Sequence, residues 1–131
     1  SIIEKETGQR EDRAMISSVF HNRLKLDMPL QTDPTVIYGL GPQFDGNLKR
    51  IHLKTDHPWN TYTRRGLPPT PIALPGKAAL TAAIQPAPSQ ALYFVARGDG
   101  SSEFSPDLTT HNAAVQRYQL KRPSAVSGKA Q

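Results

Sequence analysis

The sequence predicts a single helix-rich α+β domain with a small β-hairpin and a long irregular middle segment. Apolar residues recur with helical spacing near both ends of the chain. The string ALYFVAR-GDG-SSEFS places two strand-like runs on either side of a glycine turn. Residues 27–75 are dense in Pro, Gly, Asp and Asn. A loop-rich stretch of this length in a small domain is usually a functional one.

The N-terminal part is expected to form a helical hairpin. Residues 1–6 fit the end of one helix, and a second helix runs from about Glu11 to Leu26. Its apolar face comprises Met15, Ile16, Val19, Phe20, Leu24 and Leu26. Within the irregular segment, Asp33-Pro34 suits the start of a further helix, and Gly39 or Gly41 suits its end.

The C-terminal part adds two helices around the hairpin. The Ala-rich string KAALTAAIQP is expected to be a short helix that ends before Pro86. A last helix runs from about Asp107 to Lys121, after a capped start at SPD. Its apolar stripe comprises Leu108, Val115 and Tyr118. The domain is therefore expected to span residues 1–122, followed by a flexible tail at 123–131.

Charge and composition exclude several function classes. The chain has 16 Lys and Arg against 11 Asp and Glu, a net charge of +5, but the basic residues are scattered and no nucleic-acid motif accompanies them. We therefore expect no nucleic-acid partner. The absence of cysteine excludes thiol nucleophiles, and the four histidines lack metal-binding spacing, so we expect no metal. Serine-hydrolase elbows, Walker loops and Rossmann fingerprints are also absent from the sequence.

Two glutamates lie on the first predicted helix. At about 100° per residue, Glu6 falls between Ile2 and Ile3, while Glu4 points the other way. A carboxyl group on an apolar face is partly desolvated, which raises its pKa and suits a general acid. Because the two glutamates diverge, they cannot act as the paired carboxylates of a hydrolytic glycosidase. A plain exposed carboxylate at a frayed helix end remains the alternative for Glu6.

Further polar residues fall on faces that are expected to be buried. Helical phase places His111 and Asn112 on the side of the last helix that is expected to face the protein interior. It places Asn22 on the corresponding side of the second helix. Each is either a satisfied polar group that ties a helix to a loop or a residue that orients an acid or a substrate. The loops and strands add the polar and aromatic mixture that carbohydrate sites favour, namely Gln31, Thr32, Asp33, Tyr38, Trp59, Asn60, Thr61, Tyr62 and Tyr93.

Six strings occur in a characteristic order along the chain. They are SIIEKETG, VFHNRL, LQTDPTVIYGLG, NTYTRRGLPPTPIALPG, LYFVARGDGSSEFS and THNAAVQRY. From Ser1 to about Tyr118 this order resembles the successive motifs of the YceG-like (MltG) family of endolytic murein transglycosylases. The resemblance implies cleavage of the β-1,4 bond between N-acetylmuramic acid (MurNAc) and N-acetylglucosamine (GlcNAc) within glycan strands. No water is consumed, and a 1,6-anhydro-MurNAc end results.

The resemblance also implies roles for individual residues. Glu6 matches the catalytic position, where one carboxyl group serves first as general acid and then as general base, and Glu4 is the second choice. The pair Glu6-Thr7 is similar to the Glu-Ser pair of other lytic transglycosylases. The residues implied in or behind the glycan groove are Asn22, Gln31, Thr32, Asp33, Asn60, Tyr62, His111 and Asn112. This chemistry needs no cofactor, and no lysine stands out as a cofactor ligand.

The resemblance sets the expected cellular context as well. Members of the family carry a membrane anchor and a LysM-like region before the catalytic domain. The chain begins inside a helical pattern and without Met, so we expect a fragment of a parent protein anchored in the inner membrane of a bacterium, with this domain on the periplasmic or extracytoplasmic side. The expected partners are peptidoglycan glycan strands and proteins of cell-wall synthesis. The alternative is a non-catalytic peptidoglycan-binding or scaffolding module.

Overall fold

The computed structural model describes residues 1–6 and 9–119, and within them the predicted α+β class is confirmed. The elements in order are α1 (Ile2–Glu6), α2 (Arg10–Lys25), α3 (Asp33–Leu40), a 3-10 turn (Gly41–Gln43), α4 (Arg50–Lys54), α5 (Lys77–Ile84), β1 (Tyr93–Ala96), β2 (Ser102–Ser105) and α6 (Leu108–Gln119). Every helix in these ranges is too short or too polar to cross a bilayer. Thr7, Gly8 and the expected tail at 123–131 lie outside the described residues.

The core forms around α2, which contacts α1, α5 and β1. Ile16, Val19 and Phe20 are buried at the helical spacing that predicted this face. The Phe20 ring meets the Phe94 ring of β1 edge to face, with centroids 6.2 Å apart. The buried core residues are Ile2, Ile3, Ile16, Val19, Phe20, Leu30, Ile72, Ala79, Ala82, Ala91 and Phe94.

The C-terminal end of α2 departs from the prediction. Leu24 and Leu26, expected on the apolar face, are 37% and 61% exposed, while Arg23 takes the inward position at 5% exposure. The helix stops at Lys25, and Asp27 turns the chain with a φ of 56°, so Leu26 lies beyond the elements against which α2 packs. The last apolar turn predicted for this helix is therefore a surface turn.

The middle segment contains the predicted helix α3 and also α4, which was not predicted from the sequence. Thr32 is the N-cap of α3, Pro34 lies in its first turn, and Gly41, with a φ of 58°, ends it as one of the two predicted stops. The other predicted stop, Gly39, lies inside the helix. The absence of a side chain at Gly39 lets the His57 ring pack closely against α3, because a Cβ at position 39 would lie only 2.4 Å from His57 Cε1.

The hairpin and α6 form one layer beside α2. Strands β1 and β2 pair antiparallel, with Phe94 opposite Phe104, and α6 packs on both strands. The predicted cap of α6 is confirmed, since the Asp107 carboxylate accepts a hydrogen bond from the Thr110 N–H at 2.8 Å. Leu108, predicted on the apolar stripe, is instead 49% exposed, because the buried face of α6 is formed by His111 and Ala114 and Leu108 lies outside it.

Candidate active site

Glu6, at the end of α1, meets the beginning of α3. One carboxylate oxygen of Glu6 accepts a hydrogen bond from the Thr32 hydroxyl at 2.6 Å. The Glu6 side chain is half-buried, whereas Thr32 is fully buried. Ile2 and Ile3 on the same short helix are buried in the core, which fixes the direction in which α1 presents Glu6. The carboxyl group is thus held in a defined place at the junction of two helices.

Glu4 points to a different part of the molecule, in agreement with the predicted divergence of the two glutamates. Its carboxylate accepts a hydrogen bond of 2.6 Å from the backbone N–H of Gly76, the N-cap of α5. This contact ties α1 to α5. The geometry therefore gives Glu4 a linking role and leaves Glu6 as the carboxyl group that faces the predicted groove residues.

Asp33 and Tyr62 form a hydrogen-bonded pair beside Glu6. The Tyr62 hydroxyl donates a short hydrogen bond to the Asp33 carboxylate. Burial, and then the negative charge of Asp33, raise the pKa of the Tyr62 hydroxyl, and the charge of Glu6 acts in the same direction. Tyr62 is therefore a neutral donor at physiological pH. Glu6, Asp33 and Tyr62 share one electrostatic neighbourhood.

A network of buried threonines holds the Glu6 partner in place. The Thr61 hydroxyl accepts a hydrogen bond of 3.0 Å from the Thr32 backbone N–H and lies 2.9 Å from the Thr35 hydroxyl. The Thr35 hydroxyl donates to the Thr32 carbonyl at 2.9 Å. All three side chains are at most 2% exposed. Buried polar groups that are satisfied in this way form a rigid support for the Thr32 hydroxyl.

Arg23 is a site residue that the sequence reasoning did not single out, although it lies within the string VFHNRL. Its guanidinium donates to the carbonyls of Leu92 and Pro29, each at 2.7 Å, and reaches the Gln31 side-chain oxygen at 3.5 Å. Burial lowers the pKa of Arg23, but an arginine stays charged at any physiological pH. Arg23 follows Phe20 by three residues and Val19 by four, so the sequence already places it on the apolar face of α2. A cation on such a face needs hydrogen-bonding partners, and this could have identified Arg23 as a candidate.

Gln31 connects Arg23 to the threonine network. Its backbone has a φ of 50°, in the left-handed region that non-glycine residues rarely adopt. The Gln31 N–H donates to the Thr61 carbonyl at 3.2 Å, and its side chain is the acceptor for Arg23. Residues held in this conformation cluster at functional sites, where the surroundings enforce it. Gln31 therefore belongs to the structure that positions Thr32.

His111 lies behind the site, whereas Asn112 does not reach it. The fully buried His111 ring stacks on the Tyr93 ring with centroids 5.0 Å apart, and the Arg23 guanidinium also lies 5.0 Å from the Tyr93 centroid. Asn112 was expected to lean inward, but its side chain is exposed. The face of α6 that meets the hairpin is centred on His111 and Ala114, and Asn112 is turned about 100° away from His111.

Asn22 and Asn60 both have structural partners. Asn22 donates to the carbonyls of Ser89 and Ala91 at 3.0 and 2.9 Å, which ties α2 to the segment before β1. Asn60 is fully buried and donates to three carbonyls at the end of α4. Its side-chain oxygen accepts a hydrogen bond of 2.8 Å from the Tyr62 backbone N–H. Asn60 therefore fixes the backbone of Tyr62, and Asn22 holds α2 against the segment before β1.

The assembled site consists of a half-buried carboxyl group, a neutral phenol and fixed hydroxyl donors. Such a set can donate and accept a proton at the Glu6 carboxyl group, while the buried hydroxyls, which bond to one another and to Glu6, hold that group in place. Within residues 1–6 and 9–119, no three side chains of His, Asp or Glu come together as a metal site. The fold brings together Glu6, Gln31, Thr32, Asp33 and Tyr62, which are five of the residues that the resemblance implied.

Known proteins match most of the chain. Residues 1–117 match the YceG-like family. An endolytic murein transglycosylase of Bacillus subtilis is 46% identical over 118 residues, which are 90% of this chain and 32% of that protein. One of Streptococcus pneumoniae is 39% identical over 101 residues, covering 73% of this chain and 18% of that protein. The chain thus spans a third or less of these relatives.

A solved structure shows the same fold. The crystal structure of a YceG-like protein from Listeria monocytogenes superposes with a TM-score of 0.78 at 48% sequence identity. The match covers 86% of this chain and 36% of the Listeria chain. The helix order and the hairpin described above therefore recur in a related protein.

Proposed function

The chain belongs to the YceG-like family, and from that premise we propose that it is the catalytic portion, residues 1–122, of an endolytic peptidoglycan lytic transglycosylase. The proposed reaction cleaves the β-1,4 bond between MurNAc and GlcNAc within a glycan strand and leaves a 1,6-anhydro-MurNAc end. The observation that carries this proposal is the Glu6 carboxyl group, held by the Thr32 hydroxyl at the junction of α1 and α3. Two named relatives of this chain are endolytic murein transglycosylases, which supports the substrate class.

One carboxyl group suffices for both proton transfers. Protonated Glu6 gives its proton to the glycosidic oxygen as the bond from that oxygen to C1 of MurNAc breaks. The resulting Glu6 carboxylate then accepts the proton of the MurNAc 6-hydroxyl while the 6-oxygen bonds to C1. Glu6 gives one proton to the leaving oxygen and gains another from the 6-hydroxyl, so it ends protonated as it began and no water is used.

The neighbouring groups have separate parts in this mechanism. Positive charge develops at C1 during bond cleavage, and the Asp33 carboxylate supplies nearby negative charge that stabilises it. The Tyr62 hydroxyl holds Asp33 in place through their hydrogen bond. The Thr32 hydroxyl orients the Glu6 carboxyl group, so that little rearrangement is needed between the two proton transfers.

The substitution Glu6→Gln tests the proposal directly. It removes the transferable proton while keeping the side-chain shape, so the release of anhydro ends from purified glycan strands should fall by about 100-fold or more. Mass spectrometry of the products distinguishes anhydro ends from the reducing ends that a hydrolase would leave.

The matched control is Glu4→Gln, the same chemical change on the same helix. It should leave the release of anhydro ends near that of the parent chain, because Glu4 bonds to Gly76 and not to the groove residues. Undiminished release by Glu6→Gln would remove Glu6 from the mechanism. Saturable binding of strands by the parent chain without any anhydro product would instead support the non-catalytic peptidoglycan-binding module.

The proposed substrate also indicates where the domain acts. Glycan strands lie outside the cytoplasmic membrane, in the bacterial cell envelope. We propose a parent protein anchored in the inner membrane that presents this domain on the periplasmic or extracytoplasmic side, with cell-wall synthesis proteins as neighbours. Protease accessibility of the domain in intact spheroplasts, against a cytoplasmic marker, tests this placement.

A further inference from the structure

Two aromatic side chains near the site have no part in the mechanism above. Tyr38, in the last turn of α3, and Trp59 place their ring centroids 5.9 Å apart with planes inclined by 52°. Tyr38 is 47% exposed, and Trp59 is half-buried with part of its surface against the core. We refer to Tyr38 and Trp59 as the aromatic pair.

The aromatic pair lies along the same two segments that build the acidic site. Residues 59–62 run beside α3 in the opposite direction, since Tyr62 contacts Asp33, Thr61 contacts Thr35, and Trp59 contacts Tyr38. The six residue steps from Thr32 to Tyr38 correspond to about 9 Å along a helix axis. The aromatic pair is therefore separate from Glu6, but near enough that a glycan strand bound at Glu6 can place another of its sugars on the pair.

The aromatic pair is held rigidly. The Trp59 indole N–H donates to the Thr70 hydroxyl at 3.1 Å, and the Trp59 backbone N–H donates to His57 Nδ1 at 3.2 Å. Gly39 makes this packing possible, because a Cβ there would lie 2.4 Å from His57 Cε1 and 3.1 Å from Trp59 Cβ. A rigid binding surface loses little conformational entropy when a ligand binds.

We propose that the aromatic pair is a stacking subsite for a sugar ring of the glycan strand, remote from the bond that is cleaved. Sugar rings have an apolar face of C–H groups, which packs on the electron-rich face of an aromatic ring. The inference rests on the proposed function for the identity of the ligand. The subsite favours strands long enough to reach both Glu6 and the pair.

Trp59 is the only tryptophan of the chain, so its fluorescence reports directly on this subsite. The experiment titrates the Glu6→Gln chain, which does not cleave, with glycan strands freed of their peptides. We expect a saturable change in Trp59 emission. Adding Tyr38→Ala should weaken binding by about fivefold or more, while adding Tyr38→Phe, which keeps the ring, should retain the parent Kd. Adding Leu74→Ala, at a side chain that is 95% exposed, is the surface control and should also retain it.

Three results would overturn the subsite. They are an unchanged Kd for Tyr38→Ala, calorimetric binding without any change in Trp59 emission, and no binding of strands at all. Circular dichroism of each variant checks that the fold is intact. Cleavage by the chain with native Glu6 is measured separately. If the chain binds strands through the aromatic pair but does not cleave them, only the proposed transglycosylase activity is refuted. If the chain cleaves strands and Tyr38→Ala leaves the Kd unchanged, only the subsite is refuted.

Discussion

Thr32 contributes through both its backbone and its side chain. Its N–H bonds to Thr61, its carbonyl accepts from Thr35, and its hydroxyl donates to Glu6. The first two contacts fix the residue, and the third transmits that rigidity to the carboxyl group. A hydroxyl fixed in this way can set the orientation of an acid without itself exchanging a proton with the substrate.

The substitution Thr32→Val tests this positioning role. It removes the hydroxyl at nearly constant volume and leaves both backbone hydrogen bonds possible. We expect release of anhydro ends to fall by roughly 10-fold through loss of orientation, with a smaller effect on KM than on kcat. Thr32→Ser keeps the donor and should restore most of the rate. Equal rates for Thr32→Val and the parent chain would show that Glu6 needs no such support.

Arg23 illustrates why a buried cation persists in an apolar layer. The Arg23 side chain is 5% exposed, and its donors bond to carbonyls of two separate segments and to Gln31. Burying a charge is costly unless its donors are satisfied, and here the backbone oxygens satisfy them. The cation thereby holds the segment before α3 against the segment before β1.

Replacing Arg23 with Met should destabilise the fold. The change leaves the carbonyls of Leu92 and Pro29 without their donor, and we expect a loss of about 2–4 kcal/mol in the free energy of unfolding. Urea denaturation followed by circular dichroism measures the loss. Arg23→Lys keeps the charge but cannot reproduce the planar fork, so its loss should be intermediate. Full stability of Arg23→Met would mean that these hydrogen bonds contribute nothing net.

At the scale of elements, α3 and residues 56–64 act as one unit. The loop is closed by Asp56, whose carboxylate pairs with the Arg64 guanidinium at 2.9 Å and accepts from the Thr63 hydroxyl at 2.7 Å. Asn60 closes the same loop from inside through the α4 carbonyls and the Tyr62 N–H. These contacts hold Trp59 and Tyr62 at opposite ends of α3.

The closure of this loop has a measurable signature in acid. Hydrogen bonds from Arg64 and then from Thr63 lower the pKa of Asp56 from 3.8 to about 2. Because the folded pKa lies below the unfolded one, the contribution of Asp56 to stability is present above pH 3.8 and is lost as pH falls through about 2.

An NMR titration of the Asp56 carboxyl carbon should therefore show a midpoint near pH 2. In Arg64→Ala the midpoint should move toward 3.8, while Arg65→Ala, at the neighbouring arginine that pairs with Asp27, should leave it in place. A midpoint near the ordinary value in the parent chain would show that the pair does not close the loop in solution.

For the molecule as a whole, the charge is diffuse. The net charge of +5 arises from scattered basic residues, and among the described residues Arg23 is buried while Arg64 and Arg65 pair with Asp56 and Asp27. Nucleic-acid binding depends on basic side chains that are concentrated on one face and free to contact phosphates.

We accordingly expect no saturable binding of duplex DNA, even at low ionic strength. Fluorescence anisotropy with a labelled duplex measures this, and the glycan strands used above serve as the positive control. Tight, strongly salt-dependent DNA binding would contradict the expectation and would reopen a nucleic-acid role for the basic surface.

Features governed by local rules were predictable from the sequence. The start of α3 at Asp33-Pro34, its end at Gly41, the cap of α6 at Asp107 and the hairpin all depend on neighbouring residues and on backbone preferences. The divergence of Glu4 and Glu6 follows from helical phase alone, and the structure shows it through their different partners. The order of the six motifs is likewise a property of the linear chain, and it indicates the family by itself.

Which helix faces are covered, and which distant residues meet, depends on how the elements pack together. Leu24 lies one helical turn from the buried Phe20 and is nevertheless 37% exposed, and Leu26, Leu108 and Asn112, which were also predicted to face inward, are exposed as well. The hydrogen bond between Thr32 and Glu6 joins residues 26 positions apart. Periodicity reports the direction of a side chain relative to its own helix, whereas burial and partners depend on how the helices pack, and that is a property of the whole chain.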